Sequence, residues 1–516
     1  MDKHYSEIET RNSKPGTFIT VFTFLVLLLV LTLLLPKPSS ATDNEALDEI
    51  LSGFEEEKTS GDALKDVLEG FEDETKDNEK GRTDDEILKG FDDEPVDAGT
   101  AFPEKRHKPS IFGLDGYCKL GASYNVAHDS PKEGETDWRG LSRLRAEMQL
   151  DLTAKFSNSW QALISGKGTY DFVYGIKDRD EFSDDVLDSY EKEIELRETY
   201  ILGSLTDSLD IKAGRQIVVW GKSDNIRVTD VLNPLDLREP GLTDIEDLRL
   251  PVTMTRLDYY IGHWGLTGIA VHEIRFNKNP EYGNDFYPAE MPLPHQDKPK
   301  SRAENTEFAL AVNGIFSGWD ISFYWAHIYD DMPHKELVSS GPPPQTEMKH
   351  ARLKMYGTAF NIAIGNWLLK TEAAYLGGIE FFNSPHKKYS RTDVLAGVEY
   401  SGLKDTTVSI EAVNRHLNNF DKILKQPPDE AQKDEFQWVV RLTRDFLNET
   451  LTLTILASTY GTTGQDGAFQ RFSVEYDITD AFSVNAGLVI YQSGDKTQFK
   501  NIGDNDRLFL EFKYSF

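Results

Sequence analysis

The residues that could do chemistry are few, and their spacing decides against most of it. His272-Glu273 opens the HExxH order of a zinc peptidase, but the fifth position is Phe276. The segment also alternates like a strand, whereas a zincin needs two imidazoles on one helical face. His128-Asp129-Ser130 brings acyl-transfer residue types together in a loop ahead of Pro131, with no partner arrangement to orient them. The single cysteine, Cys118, excludes an internal disulfide framework and a thiolate zinc finger. No phosphate-cradling glycine loop or dinucleotide fingerprint occurs. The sequence predicts no catalytic residue, no metal site and no cofactor.

The densest unusual stretch is RQIVVWGKSDNIRVTDVLNPLDLREPG, Arg215 to Gly241. It leaves a strand expected over 208–220 and enters a long connection. Asn233-Pro234, followed by Asp236, Arg238 and Glu239, is rich in local hydrogen-bond formers. A connection this long inside a compact domain is usually functional or disordered. This one keeps Ile226, Val228, Val231, Leu232, Leu235 and Leu237, so it has apolar residues to pack. The residues expected to line a constriction or hold a plug are Arg215, Gln216, Trp220, Lys222, Asp224, Asn233, Asp236, Arg238 and Glu239. The alternative is a loop packed over a rim with no gating role.

These residues need elements to hold them, and from residue 114 onward the apolar period is two. Phe472, Val474, Tyr476 and Ile478 alternate with Arg471, Ser473, Glu475 and Asp477. Such alternation marks half-buried strands. About eighteen fit, and the connections between them alternate short and long. Short ones fall at 156–159, 204–207, 261–263, 315–318, 362–366, 401–406, 447–449 and 478–481. Long ones fall near 175–192, 221–252, 275–305, 330–349 and 415–434. Short turns on one side and long loops on the other are the pattern of an outer-membrane barrel. The fold class expected is all-β, a transmembrane antiparallel β-barrel with a disordered acidic N-terminal arm. Lipid takes the apolar stripe and a lumen takes the polar one. Inward candidates of both signs include Arg143, Arg145, Glu147, Asp151, Lys155, Lys167, Asp171, Lys212, Arg352, Lys354, Arg441, Arg471, Glu475, Arg507, Glu511 and Lys513. Mixed signs favour paired charges bracing a wall over an ion-selective ring.

The last strand places Leu508, Leu510, Phe512, Tyr514 and Phe516 at alternate positions up to the terminal residue. This resembles the C-terminal recognition signal of bacterial outer-membrane barrels, with Tyr514 and Phe516 as the assembly signal read by the barrel-assembly machinery. The run RQIVVWGKSDNIRVTDVLNPLDLRE resembles the hallmark of the proteobacterial domain of unknown function 1302 family. The resemblance covers most of residues 114–516 in strand pattern, and this run is its specific part. It implies a porin-like outer-membrane barrel. It also implies an association with inner-membrane transporters of the resistance-nodulation-division superfamily and with periplasmic partners, and so movement of lipids or other hydrophobic molecules across the envelope.

The chain has 516 residues and a formal charge of -31. Residues 42–100 carry 22 acids and 6 bases, about half the excess. So acidic a balance argues against a nucleic-acid partner. Mean hydropathy of -0.48 excludes a polytopic helical membrane protein. Residues 1–41 read as a signal peptide: the apolar run Phe18 to Leu35 ends at Pro36, and Ser39-Ser40-Ala41 offers a cleavage site. The run also just suffices to span a bilayer, so an uncleaved anchor is the alternative.

Residues 42–113 read as a disordered arm with repeats EILSGFEEE (49–57), DVLEGFEDE (66–74) and EILKGFDDE (86–94). Leu51, Phe54, Leu68, Phe71, Leu88 and Phe91 are its candidate docking residues, apolar positions of short helices that fold in a partner's groove. An even strand number puts the arm in the periplasm, facing a periplasmic or inner-membrane transport partner. The bland reading is an acidic spacer.

The reading as a whole is a channel or transport barrel in outer-membrane lipid that passes hydrophobic or amphipathic solutes. The alternative is a closed structural or adaptor barrel anchoring a trans-envelope complex.

Overall fold

The computed structural model describes residues 111–131, 136–243, 245–289 and 291–516. The expected signal peptide and the repeat residues Leu51, Phe54, Leu68, Phe71, Leu88 and Phe91 lie outside the described residues.

Eighteen antiparallel strands form one closed sheet. In chain order the first six are β1 (Phe112–Asn125), β2 (Gly140–Lys155), β3 (Trp160–Asp171), β4 (Lys192–Thr206), β5 (Leu209–Gln216) and β6 (Val252–Ile261). Next come β7 (Trp264–Val271), β8 (Glu307–Phe316), β9 (Trp319–Tyr329), β10 (Arg352–Ile364), β11 (Trp367–Ile379) and β12 (Tyr389–Leu403). The last six are β13 (Thr406–Asn418), β14 (Asp434–Phe446), β15 (Leu451–Tyr460), β16 (Gly467–Thr479), β17 (Phe482–Gln492) and β18 (Arg507–Ser515). Each pairs with its sequence neighbour, and β18 pairs back onto β1 from Asn125↔Arg507 to Tyr117↔Ser515. Closure removes both sheet edges, so every strand finds a partner without water. Phe516 completes the seam: its backbone N–H and C=O each bond Gly116 at 3.0 Å.

The short connections recur at the expected places, among them the turns around Gly262, Gly318 and Gly365, each with positive φ. Five of the eight strands that leave a short turn open on an aromatic residue: Trp160, Trp264, Trp319, Trp367 and Phe482 are the first residues of β3, β7, β9, β11 and β17. They form a girdle at that end of the barrel, where an indole suits a membrane–water boundary. Trp160 lies on the site of Gly203, where a Cβ would fall 2.3 Å from its ring, and Trp264 covers Gly314, where a Cβ would fall 2.7 Å away. Mid-wall, the outward stripe is exposed and apolar, as with Leu310, Phe323, Leu369, Val394 and Leu510. Transferring each such side chain to hydrocarbon is worth about 1.5–3 kcal/mol. Cys118 lies in this outward phase.

The structure corrects the expected phase of β10. Arg352 and Lys354 share the outer face with Tyr356, while Leu353 and Met355 are buried inside. Arg352 stacks over the ring of Tyr329 and donates to the carbonyls of Asn305 and Thr306. β5 also ends at Gln216, four residues short of the expected Trp220.

The long connections are folded. Between β3 and β4, a helix over Asp184–Tyr190 starts at Ser183, whose hydroxyl accepts from Val186 N. It buries Val186, Leu187 and Tyr190 against Trp138, Tyr174 and Phe182. A small sheet joins Gln296–Asp297, His334–Ser339 and Gln345–Lys349 across two other long connections. His128 lies 3.3 Å from Asp504, and Ser130 accepts from Arg139, so in this constellation the serine faces a guanidinium.

A Cβ on Gly116 would fall 2.4 Å from the Gln149 carbonyl and 3.1 Å from the Phe516 ring. Gly116→Val is expected to destabilise closure by about 1–3 kcal/mol. The check is the fraction of barrel that runs as the compact, heat-modifiable species in electrophoresis.

Candidate functional site

The 35-residue connection between β5 and β6 is a strap across the lumen. Its root is an amide clasp. Asn233 accepts from Val218 N at 2.8 Å and donates to the carbonyls of Gln216 (3.2 Å) and Leu250 (2.9 Å). It thereby joins the outgoing and returning limbs where they leave the wall. Gln216, as buried as Asn233, donates to Met254 O at 3.2 Å. Beside the clasp, Asp230 accepts from Arg249 at 2.9 Å and lies 3.2 Å from Arg227. Arg215 ties the end of β5 to Glu273 at 2.9 Å.

The outgoing limb is apolar on one face. Val218, Trp220, Ile226, Val228 and Leu232 pack against inward side chains that run from Met254 on β6 through Met355 on β10 to Val439 on β14. Trp220 stacks on Tyr324 with ring centroids 4.8 Å apart. Gly221 is required next to it: its φ is +89°, and a Cβ would fall 2.6 Å from the Glu372 carboxylate.

That carboxylate, on β11, accepts from Lys222 N at 2.5 Å, Ser223 N at 2.8 Å, Thr229 N at 3.2 Å and Thr229 Oγ1 at 2.8 Å. Two strands on, Glu411 of β13 accepts from Ser223 Oγ at 2.7 Å, Asp224 N at 2.9 Å and Asn225 N at 3.0 Å. Lys222 reaches Asp320 at 2.5 Å, and Lys370 bonds both Asp224 and Glu399. Successive N–H groups of 222–225 thus form an anion nest, and the barrel wall supplies the anions.

The returning limb meets the opposite wall through charge. Arg238 bonds Asp236, the Ser189 carbonyl and Glu193 of β4 (2.8 Å), and lies over the Tyr190 ring. Glu239 takes two bonds from Arg145 of β2, at 2.9 and 3.1 Å, and one from Arg143 at 3.3 Å. Burial acts to raise the Glu239 carboxyl, but Arg145 and Arg143 outweigh it and hold the group well below the usual carboxylate range. Tyr491 of β17 donates to Pro240 O at 2.6 Å, and Leu242 packs with Phe286, Tyr491 and Phe509.

Of the residues singled out from the sequence, Gln216, Trp220, Lys222, Asp224, Asn233, Asp236, Arg238 and Glu239 are all brought into this arrangement, and Arg215 anchors its start. Tyr514 near the end of β18 and Phe516 just beyond it sit apart from the strap, both exposed, their rings 6.2 Å apart. Sequence reasoning missed Glu372, Glu411, Asp230 and Arg249. Glu372 and Glu411 carried no distinguishing signal, because Lys370 and Arg415 share their inward registers and make them look like members of a mixed-charge wall.

Glu372→Ala would strip acceptors from Lys222 N, Ser223 N and Thr229 N, at about 1–3 kcal/mol for each buried donor left unmade. Trypsin is expected to cut the folded variant at Lys222 or Arg227 faster than wild type, and equal rates would refute the anchoring role. Glu239 follows the linkage of a depressed carboxyl: its contribution is present above the unfolded value and is lost only as pH falls through the depressed one. Proteolysis of the returning limb should therefore be constant from neutral pH down to about 4.3, the ordinary glutamate value. Glu239→Gln should release the limb already at neutral pH.

The likeness to solved structures is one of architecture. OccAB1 of Acinetobacter baumannii is 10% identical over 78% of this chain and 96% of its own, with a TM-score of 0.47. A BenF-like porin from Pseudomonas fluorescens Pf-5 is 11% identical over 78% and 98%, with a TM-score of 0.46. OmpT of Vibrio cholerae is 11% identical over 79% and 100%, with a TM-score of 0.37. No curated protein matches the sequence. The family model described as protein of unknown function DUF1302 matches residues 25–516, and the chain belongs to that family.

Proposed function

We propose that the protein is an outer-membrane channel that passes a hydrophobic or amphipathic solute past its internal strap. The observation that carries this reading is a charge-lined interior inside an apolar wall, crossed by a segment fastened through exchangeable polar contacts. Glu372, Glu411, Lys370 and Asp320 hold the outgoing limb, and Arg143, Arg145 and Glu193 hold the returning one. Such contacts can be broken and remade singly, as a moving constriction requires. In this reading the short turns face the periplasm, Tyr514 and Phe516 serve assembly, and the arm over 42–113 docks a periplasmic or inner-membrane partner through its repeats.

A closed adaptor barrel is the second reading. It is favoured by the packing of Trp220, Ile226 and Val228 against the wall, which leaves Met254, Met355 and Leu395 fully buried.

Conductance across planar bilayers separates the two. The channel reading expects small currents from wild type and severalfold larger currents after removal of residues 223–249. No current from either protein would establish the closed barrel. The docking role of the arm predicts that Phe54→Ala, Phe71→Ala and Phe91→Ala together abolish capture of the inner-membrane transport partner in cross-linked envelopes, and unchanged capture would leave the arm a spacer.

A further inference from the structure

Between β4 and β5 the ladder leaves part of the wall open. β4 pairs with β3 as far up as Lys192, but its pairing with β5 begins only at Thr199↔Arg215. Residues 192–198 therefore stand beyond the end of β5, facing the stretch that follows β7. Side chains bridge this gap. Arg275 bonds Glu195, and Lys278 bonds Glu193 and lies 3.7 Å from Glu195. The strap joins the same latch through Arg238 on Glu193. Lys278 also exchanges backbone hydrogen bonds with the strap at Leu235 and Leu237.

The outer side of this seam is apolar. Ile194 is 95% exposed and Leu196 50% exposed. Facing them across the β3–β4 ladder are Gly168 and Gly166, where added side chains would meet nothing. The result is a groove of about 610 Å³ on the outer wall, running from Ile194 past Gly168 and Met148 to Leu120 and Phe512. A strand edge in a bilayer normally requires a full ladder, because each unmade backbone bond is costly in hydrocarbon. Here the edge is covered by ion pairs, which can open one at a time.

We propose that this seam is a lateral port through which an amphiphile with an anionic head and a single alkyl chain passes between the lumen and the bilayer. The inference rests on the passage reading above. The head competes with Glu193 and Glu195 for Lys278, Arg275 and Arg238. The chain slides over Ile194 into the outer groove, so its apolar surface moves from the barrel to lipid without crossing water.

The test uses intact Gram-negative cells that lack their own fatty-acid uptake, express the full chain, and are supplied with radiolabelled oleate. Cys118→Ser removes the native thiol, and Glu195→Cys with Arg275→Cys places a thiol on each side of the seam. A bismaleimide with an internal disulfide bridges them, and reductant frees them again. Oleate uptake is expected to fall to the level of cells without the protein on bridging and to recover on reduction, while uptake of a small sugar is unchanged by either. Glu193→Gln with Glu195→Gln, which loosens the latch in an otherwise native chain, is expected to raise oleate uptake severalfold. Oleate uptake that ignores the bridge overturns the port and leaves axial passage standing. Sugar uptake with no oleate uptake in any form also overturns the port. Uptake of neither solute overturns the port and the passage reading together.

Discussion

A chain segment that leaves a β-sheet and crosses a barrel interior abandons its ladder, and its N–H groups must find acceptors elsewhere. Glu372 and Glu411 are the answer to that constraint. They are buried on the far wall, and between them they take the backbone N–H groups of Lys222, Ser223, Asp224, Asn225 and Thr229. The arrangement is reciprocal. Each carboxylate would be costly if left alone in the interior, and the strap's N–H groups are what satisfy it. Deleting either partner therefore costs more than the pair contributes while intact. The anchoring couples a local turn, made possible by Gly221, to strands far away in sequence.

The two limbs differ in chemistry, and the wall differs to match. The outgoing limb presents aliphatic side chains and Trp220 to β6 through β14, where the inward positions are Met254, Ala326, Met355, Leu395 and Val439. The returning limb presents Asp236, Arg238 and Glu239 to β2 and β4, where the inward positions are Arg143, Arg145 and Glu193. The outgoing limb is thus held by apolar side-chain packing with its backbone on Glu372 and Glu411, and Arg238 and Glu239 of the returning limb are held by charge. The Asn233 clasp lies where the chain turns from one to the other.

That division explains what could be read from the sequence. Strand number, antiparallel order and the alternation of connection lengths follow from local signals, since each strand needs only its own period and its own turn. The strap was legible as a segment, because a long connection carrying Ile226, Val228 and Leu232 has to bury them. Its anchors were not. An acid at Glu372 or Glu411 looks like any other lumen charge until the fold brings in N–H groups from a chain position about 150–190 residues away. The phase of β10 failed for a related reason. Where the outgoing limb packs, Leu353, Met355 and Ala359 are apolar inside while Tyr356 and Phe360 are apolar outside. A strand apolar on both faces carries no phase in its period, and the sparse charges Arg352 and Lys354 then point to the wrong side.

The strap and the gap in the wall have a single cause. β5 and β6 stop opposite one another, at Gln216↔Val252, because the intervening chain is drawn inward at that point. β4 has no such connection and continues to Lys192. Residues taken from the wall to fill the lumen are missing from the wall, and the strand beside the departure keeps only one partner, β3, over its first residues. The edge left behind faces the returning limb, so the residues able to cover it are those of the strap and of the stretch paired with it, Arg238, Arg275 and Lys278. A displacement of the returning limb disturbs these contacts, whereas the outgoing limb, held by Glu372 and Glu411, does not touch them. In a barrel built this way the strap and the seam meet at one side chain, because Glu193 is held at once by Arg238 of the strap and by Lys278 of the seam.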